Sequence, residues 1–173
     1  METTGNCRCN AVTVRVSADI QTGELQPRRC DCDYCRSKPS GLISHPSMQV
    51  SVGVPLSALK AEKNGDRLAT FFRCKTCDDL IAVGGEIDGE WRGAVNADLL
   101  ACRAEFGDDV AISPKTLSPS EKQARWKMLW GRITDLSDAL TLQLVNQVLP
   151  YFGRQPALDI TRYGIARPDN VVA

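Results

Sequence analysis

The sequence predicts a mainly β protein with a helical extension at its C-terminal end. Short apolar segments that alternate with polar residues fill the first hundred residues. The pair Asp88-Gly89, a strong hairpin-turn signal, separates two such segments. After about residue 104 the apolar residues recur at helical spacing instead. We therefore expect a β domain over residues 1–104 and a helical extension over residues 105–173 packed on the same domain.

Four segments carry the strand prediction, and each has an identifiable pattern or end. They are 12–16, 48–54 (ended by Pro55), 68–72 (leading into Cys74) and 80–83 (ended by Gly84-Gly85). The first two alternate valine or methionine with polar residues, which is typical of a strand with one buried face. Proline and paired glycines commonly interrupt strands, so they set the predicted boundaries.

The extension begins with a helix-start signal. Ser118-Pro119-Ser120-Glu121 has an N-cap serine, a first-turn proline and a capping-box glutamate. Two apolar stripes at helical spacing follow, and Pro150 and Gly153 end the second. The stripes are Trp126, Leu129, Trp130 and Ile133, then Leu136, Leu140, Leu144 and Val148. They predict a helical hairpin packed on the sheet, and the alternative is a lid or a dimer arm.

Composition limits the class of partner. Lysine plus arginine (21) equals aspartate plus glutamate (21), and the pI is about 6.6. A neutral chain lacks the positive field of non-specific nucleic-acid binding, and no apolar run approaches the ~20 residues that span a bilayer. No signal peptide is visible at the start. We expect a cytoplasmic protein that binds neither nucleic acid nor membrane, and a homodimer is compatible with the sequence.

Seven of the eight cysteines fall into three clusters. These are a C-x-C at Cys7 and Cys9, a C-x-C-x-x-C at Cys30, Cys32 and Cys35, and a C-x-x-C at Cys74 and Cys77. In a reducing compartment such clusters favour metal ligands or catalytic thiols over disulfides. Their spacing differs from the cysteine runs of common iron–sulfur proteins, so zinc is the favoured metal.

The first and third clusters supply two ligands each, enough for one closed, structural four-thiolate zinc site. Asn10 and Asp78 directly follow the second cysteine of their pairs. Both residue types tolerate the left-handed backbone conformation, which suits the turn after a zinc knuckle. The late C-x-x-C lies between two predicted strands, as in a zinc ribbon, whereas a thioredoxin-type motif would open a helix.

The middle cluster offers three ligands from one short loop, with no obvious fourth. A three-thiolate zinc with an open position is typical of a catalytic site. Because its net charge is −1, such a centre generates hydroxide poorly but can hold an incoming sulfur as thiolate. A small thiol therefore fits better than peptide hydrolysis. Cys102 stands alone in an apolar segment, either as a small buried residue or as the fourth ligand that would close this site.

Basic residues flank the middle cluster. Arg28, Arg29 and Arg36, together with Lys38, form a local positive group in an otherwise neutral chain. They can receive the carboxylates of an anionic thiol, and the alternative is that they are solvated surface charges. His45, the single histidine, precedes a proline in a predicted loop and is assigned no role.

The cysteine clusters, taken in order, resemble those of the glutathione-dependent formaldehyde-activating enzyme family, which includes centromere protein V. The matching segments are Gly5-Asn6-Cys7-Arg8-Cys9-Asn10-Ala11-Val12, Cys30-Asp31-Cys32-Asp33-Tyr34-Cys35-Arg36 and Phe71-Phe72-Arg73-Cys74-Lys75-Thr76-Cys77. The resemblance covers roughly residues 5 to 100. It implies a β-rich zinc-binding fold of stacked small antiparallel sheets. It also implies two zinc ions per chain, a structural ion at the outer clusters and a catalytic ion at the middle cluster. Asp31 stands where members often have histidine, and Asn10 and Asp78 stand where glycine is usual.

The family activity is the condensation of glutathione with formaldehyde, the reverse of a carbon–sulfur lyase reaction. The resemblance implies a zinc-dependent, carbon–sulfur lyase-like enzyme that acts on glutathione or a similar small thiol and on formaldehyde or another small aldehyde. Asp31, Asp33 and Tyr34 are candidate proton donors for the product alkoxide. The alternative is a non-catalytic zinc module that binds protein, for which two inert zinc sites would be expected, one of them closed by Cys102.

Overall fold

The computed structural model describes residues 1–53 and 58–134, and the elements below belong to that part of the chain. Its strands are β1 (Glu2–Asn6), β2 (Thr13–Ser17), β3 (Arg28–Cys30), β4 (Leu42–Ile43), β5 (Gln49–Gly53), β6 (Leu59–Lys63), β7 (Thr70–Cys74), β8 (Leu80–Ile87), β9 (Glu90–Asn96), β10 (Val110–Ile112) and β11 (Gly131–Thr134). Its α-helices are α1 (Asp33–Ser37) and α2 (Pro119–Leu129). Short 3-10 turns cover Thr22–Glu24, Ala97–Leu99, Arg103–Glu105 and Pro114–Thr116. None of these helices is long and apolar enough to cross a bilayer.

Hydrogen bonds connect the described strands into one sheet, in the order β1-β2-β5-β11-β9-β4-β3-β10, with β8, β7 and β6 continuing from β9. Strand β9 is central. It pairs with β8 on one edge, and on the other with β11 near its start and β4 near its end. Pairings are antiparallel except for β3 with β10 and β5 with β11. The mainly β prediction is confirmed, with one branched sheet in place of separate small ones.

Alternation fixes which face of the early strands is buried. Val14 and Val16 of β2 and Val50 and Val52 of β5 are almost wholly buried, while the residues between them are more exposed. Burial of one face in each strand sets the register, because a one-residue slip would turn every valine outward. The strands predicted at 12–16 and 48–54 are thus confirmed as β2 and β5, and position 54 and Pro55 lie outside the described residues.

Strand β8 runs through Gly84-Gly85 to Ile87, so the prediction that the glycine pair ends it is wrong. Gly84 pairs with Gly93 of β9, and the side chain of Ile133 in β11 packs against both Gly84 and Gly93. A Cβ on Gly84 would lie 3.0 Å from Cδ1 of Ile133. The glycine makes room for a side chain from another strand. The Asp88-Gly89 hairpin is confirmed, with φ of 54° and 78° at its two residues.

Helix α2 begins as predicted. Ser118 caps it, its hydroxyl accepts from the Glu121 N–H, and the Glu121 carboxylate accepts from the Ser118 N–H. The helix ends earlier than the first apolar stripe predicted. Gly131 opens β11, and a Cβ there would lie 2.7 Å from Cβ of Met48, so this close approach requires glycine. Ile133 therefore reaches the core from a strand.

Residues after 104 also contribute strands. β10 pairs beside β3, and β11 lies between β5 and β9. The second predicted stripe, Leu136 to Val148 with Pro150 and Gly153, lies outside the described residues.

Candidate metal centres and the adjoining cavity

Four cysteines from two distant segments meet at one point. The Sγ atoms of Cys7, Cys9, Cys74 and Cys77 all lie within 4.8 Å of one another, and those of Cys7–Cys9 and Cys9–Cys74 are 3.5 Å apart. A tetrahedral ion with Zn–S bonds of ~2.3 Å requires sulfur atoms about 3.8 Å apart. The spacing and the all-sulfur donor set therefore fit zinc. We name this group the four-cysteine cluster.

Two similar turns present these sulfur atoms. The Asn10 N–H donates to the Cys7 carbonyl at 2.8 Å, and the Asp78 N–H donates to the Cys74 carbonyl at 3.0 Å. Asn10 and Asp78 have φ of 58° and 62°. The predicted left-handed residue after each cysteine pair is confirmed, and each turn folds its two thiols to one side.

Arg8 links the two turns. Its backbone N–H and its Nε donate to the Asp79 carboxylate at 2.8 Å and 2.7 Å, and its Nη2 donates to the Cys77 carbonyl at 2.8 Å. These contacts join the end of β1 to the β7–β8 turn independently of any ion. The four-cysteine cluster is therefore held by protein contacts as well as by its thiols.

The thiols of the four-cysteine cluster differ in acidity. Burial opposes ionisation of Cys74, but hydrogen bonds from the N–H groups of Cys77 and Thr76 outweigh it and lower its pKa to about 7. Burial, aided by the neighbouring thiols of Cys9 and Cys74, raises the pKa of Cys77 to about 12. Burial likewise raises the pKa of Cys7. A bound cation would favour the thiolate form of all four cysteines and so overcome the effect of burial.

The second group is formed by Cys30, Cys32 and Cys35, whose Sγ atoms also lie within 4.8 Å of one another. Cys30 ends β3, Cys32 is the N-cap of α1, and Cys35 lies within that helix. Strand β10 supports the loop, since Ile112 aligns with Cys30 and its carbonyl accepts from the Asp31 N–H at 3.0 Å. We name this group the three-cysteine cluster.

Within the three-cysteine cluster one thiol is set to ionise first. A hydrogen bond from Cys35, opposed by burial and helped by the Cys32 N–H, lowers the pKa of Cys30 to about 6. The same hydrogen bond raises the pKa of Cys35. Three sulfur atoms this close together are a donor set suited to a soft cation such as zinc.

A cavity of about 230 Å³ adjoins the three-cysteine cluster, and all three cysteines line it. Its other walls come from the sheet, the segment after β10 and helix α2. Trp126 and Trp130 of this wall stack with ring centroids 4.3 Å apart and planes 7° apart. The four-cysteine cluster does not line this cavity. The two groups of thiols therefore differ in what lies beside them.

The predicted basic residues are dispersed. Arg28 lines the cavity, and Nη1 of its side chain donates to Ser44 Oγ at 3.3 Å. Arg29 forms ion pairs with Asp98 and Asp109. Burial lowers the pKa of Arg29, but the two carboxylates together outweigh it, so the pKa is raised. Arg36 is exposed on α1 and does not line the cavity.

Helix α2 supplies a cavity-lining cation that sequence reasoning missed, Arg125. Its neighbour Trp126 was recognised only as part of an apolar stripe, and its place beside the cysteines depends on how α2 packs. Lys38, the fourth basic residue near the loop, instead pairs with Asp78 at 2.6 Å.

The candidate proton donors do not line the cavity. Asp31 accepts from Ser113 Oγ at 3.1 Å and lies 3.3 Å from Lys115 Nζ. Tyr34 donates to Glu62 at 2.8 Å and accepts from buried Arg73. Asp33 is exposed. Lys115, which sequence reasoning did not single out, does line the cavity.

Two remaining residues lie apart from both clusters. Cys102 belongs to neither group, and within the described residues no fourth cysteine, histidine or carboxylate joins the three-cysteine cluster. His45 Nδ1 lies 2.7 Å from Ser47 Oγ and accepts from the Ser47 N–H. This local turn accounts for the histidine, which does not line the cavity.

Comparison with known proteins gives one family match. One similar solved structure is that of a Rhodobacter sphaeroides protein, a Northeast Structural Genomics target, which is 21% identical in sequence to this chain. The match covers 69% of this chain and 94% of the Rhodobacter protein, with a TM-score of 0.45. No curated protein matches the chain. The model of the glutathione-dependent formaldehyde-activating enzyme family matches residues 2–113, which include all seven clustered cysteines. The chain belongs to this family.

Proposed function

We propose that the protein is a zinc-dependent enzyme that joins a small thiol to formaldehyde or another small aldehyde and cleaves the product in reverse, as a carbon–sulfur lyase. One observation carries the proposal: Cys30, Cys32 and Cys35 gather their sulfur atoms at the edge of a cavity, with no fourth ligand among the described residues. Family membership supports it, because the family is described by glutathione and formaldehyde activation.

In this proposal each cluster holds one zinc ion. Cys7, Cys9, Cys74 and Cys77 offer four thiolates, which leave no position for substrate, so their role is structural. The three-cysteine cluster leaves one position towards the cavity. Zinc held there supplies one chemical property, the ability to keep an incoming thiol ionised at neutral pH. Clustered free thiols also suit a reducing compartment, so the proposal includes a cytoplasmic location.

The reaction needs no redox partner. The thiol loses its proton, its sulfur attacks the aldehyde carbon, a carbon–sulfur bond forms, and the carbonyl π electrons move to oxygen. The resulting alkoxide takes up one proton, so the product is the hydroxymethyl thioether of formaldehyde, or the hemithioacetal of a larger aldehyde. In reverse, loss of the hydroxyl proton accompanies cleavage of the same bond.

The chain's own residues position and stabilise these groups. Strand β10 and the N–H of Asp31 fix the three-cysteine loop, so its sulfur atoms are held before substrate arrives. Lys115, which lines the cavity, is suited to stabilise the developing alkoxide by hydrogen bonding. The alkoxide takes its proton from water in this proposal, because the candidate donors Asp31, Asp33 and Tyr34 do not line the cavity.

Exchange NMR tests the proposal directly. Glutathione and formaldehyde equilibrate with their adduct, and the exchange rate is measured with and without protein far below the substrate concentration. We expect faster exchange with the wild type, loss of the acceleration in Cys32→Ser, and full acceleration in Cys102→Ser, which removes a thiol from neither cluster. The measurement is repeated with 2-mercaptoethanol as a second small thiol, and exchange rates that are equal with and without protein for both thiols would contradict the proposal.

A further inference from the structure

The cavity beside the three-cysteine cluster is lined mainly by alkyl and aromatic side chains. Six of them are Leu42, Phe71, Ile112, Leu117, Trp126 and Leu129. Leu42, Phe71 and Trp126 are partly buried and pack against the core cluster that contains Trp130. The floor of the cavity is therefore continuous with the hydrophobic core. Such walls favour an apolar body and disfavour a molecule that is polar along its whole length.

Two guanidinium groups interrupt this apolar lining. Arg28 of β3 and Arg125 of α2 both line the cavity, and neither forms an ion pair with a carboxylate of the described residues. Burial, and then the positive charge of Arg125, lower the pKa of Arg28. Lys122, which lines the same cavity, is by contrast neutralised by Asp66 at 2.6 Å. Two half-buried cations that have no counter-ion within residues 1–53 and 58–134 mark a place for an anion.

The anion site and the thiol site share one cavity but come from different parts of the chain. Cys30, Cys32 and Cys35 lie within the residues matched by the family model, which ends at residue 113, whereas Arg125 and Trp126 lie on α2 beyond it. Helix α2 therefore adds a cation and an aromatic wall to a cysteine loop that the family model describes.

We propose that this cavity binds a thiol with an apolar, aromatic-sized body and one carboxylate, with the carboxylate between Arg28 and Arg125 and the body against Trp126 and Phe71. The position of the sulfur at the three-cysteine cluster rests on the proposed function. A guanidinium group binds a carboxylate through two parallel hydrogen bonds, and a carboxylate bound between two guanidinium groups relieves their mutual repulsion.

Glutathione fits these walls less well. It carries two carboxylates, an ammonium group and two amide bonds, and no apolar side chain. Burying these groups against leucine and tryptophan costs free energy unless each finds a hydrogen-bond partner. The proposed ligand class has one carboxylate, one thiol and an apolar body, and the cavity has lining residues suited to each of these three groups.

Titration of tryptophan fluorescence in the zinc-loaded full chain tests this with four probes. They are 4-(mercaptomethyl)benzoate, its thiol-free analogue 4-methylbenzoate, the neutral thiol 4-methylbenzyl mercaptan, and glutathione. We expect 4-(mercaptomethyl)benzoate to bind at least about tenfold more tightly than glutathione. Arg125→Gln should weaken the binding of 4-(mercaptomethyl)benzoate and of 4-methylbenzoate by about tenfold, the loss expected for a charge-assisted hydrogen bond. It should leave the binding of the neutral thiol unchanged. Lys127→Gln, which removes an exposed charge from the same helix, should change none of them.

The outcomes separate this inference from the proposed function. Binding of 4-methylbenzoate that depends on Arg125 supports the carboxylate site even if no thiol exchange is accelerated, in which case the proposed function fails alone. Tighter binding of glutathione, or equal effects of Arg125→Gln and Lys127→Gln on the carboxylates, overturns the inference while accelerated exchange still supports the function. Circular dichroism of each variant confirms that α2 is retained.

Discussion

The two cysteine clusters use the same ligand type but differ in how the chain builds them. The four-cysteine cluster joins residues about 65 positions apart, where β1 ends and β7 turns into β8, and Cys7 and Cys74 are almost wholly buried. The three-cysteine cluster lies within one short loop, and its thiols are only partly buried beside a cavity. An ion at the first would close a long loop of chain, whereas an ion at the second would close a short one.

This difference adds to the ligand count a second reason to expect different roles at the two sites. Where ligands come from separate strands, the ion contributes to folding free energy, because the unfolded chain cannot offer them together. Where they come from one loop that β10 already supports, the fold depends less on the ion. The loop can then present an open coordination position without losing its shape.

The largest expected effect follows from breaking the four-cysteine cluster. Cys74→Ser should unfold the protein or lower its melting temperature by more than about 10 °C, because structural zinc supplies about 10–16 kcal/mol in small zinc domains. Thermal unfolding followed by circular dichroism, with zinc content measured in parallel, checks this. Cys102→Ser, a matched loss of one thiol outside both clusters, should keep a melting temperature close to that of the wild type.

Breaking the three-cysteine cluster should have a smaller effect on stability. We expect Cys32→Ser to retain its circular dichroism spectrum, to melt within a few degrees of the wild type, and to lose one of two zinc ions. The reason is that β3, β10 and α1 keep their backbone hydrogen bonds without this thiol. If Cys32→Ser were less stable than Cys74→Ser, the division into a structural and an open site would be wrong.

The smallest expected effect concerns the backbone conformation of Asn10, in one turn of the four-cysteine cluster. Asn10 is exposed and has φ of 58°, a conformation that costs most residues roughly 1–2 kcal/mol. Asn10→Ala should lower the free energy of unfolding by about 1 kcal/mol, while Asn10→Gly should leave it nearly unchanged. Urea unfolding at fixed zinc concentration measures both. An equal loss in the two variants would show that the asparagine side chain matters and its backbone conformation does not.

Local signals were sufficient to predict much of this molecule. The union of the two cysteine pairs in one four-sulfur group was predicted from the four ligands that a tetrahedral ion needs, although the pairs lie about 65 residues apart. Asn10 and Asp78 indicated the two turns, because each signal lies within a few residues of its cysteine pair. The Asp88-Gly89 turn and the Ser118 cap were predicted for the same reason.

Features that depend on distant contacts were not predicted. Gly84 signals a break locally, yet in the sheet it makes room for Ile133 from a strand about fifty residues later. Ile133 matches a helical spacing but pairs as β11, since Gly131 permits close approach to Met48. Arg125 lines the cavity beside the three-cysteine cluster only because of the way α2 packs. Neither propensity nor spacing encodes these tertiary contacts.

Cadmium NMR on the cadmium-substituted full chain tests the central claim most directly, because cadmium occupies thiolate sites that zinc prefers and reports on its own ligands. We predict two ¹¹³Cd resonances, of which only the one absent from Cys32→Ser shifts when a small thiol is added. A thiol-induced shift of the other resonance, or no shift of either, would contradict the assignment of an open coordination position to the three-cysteine cluster.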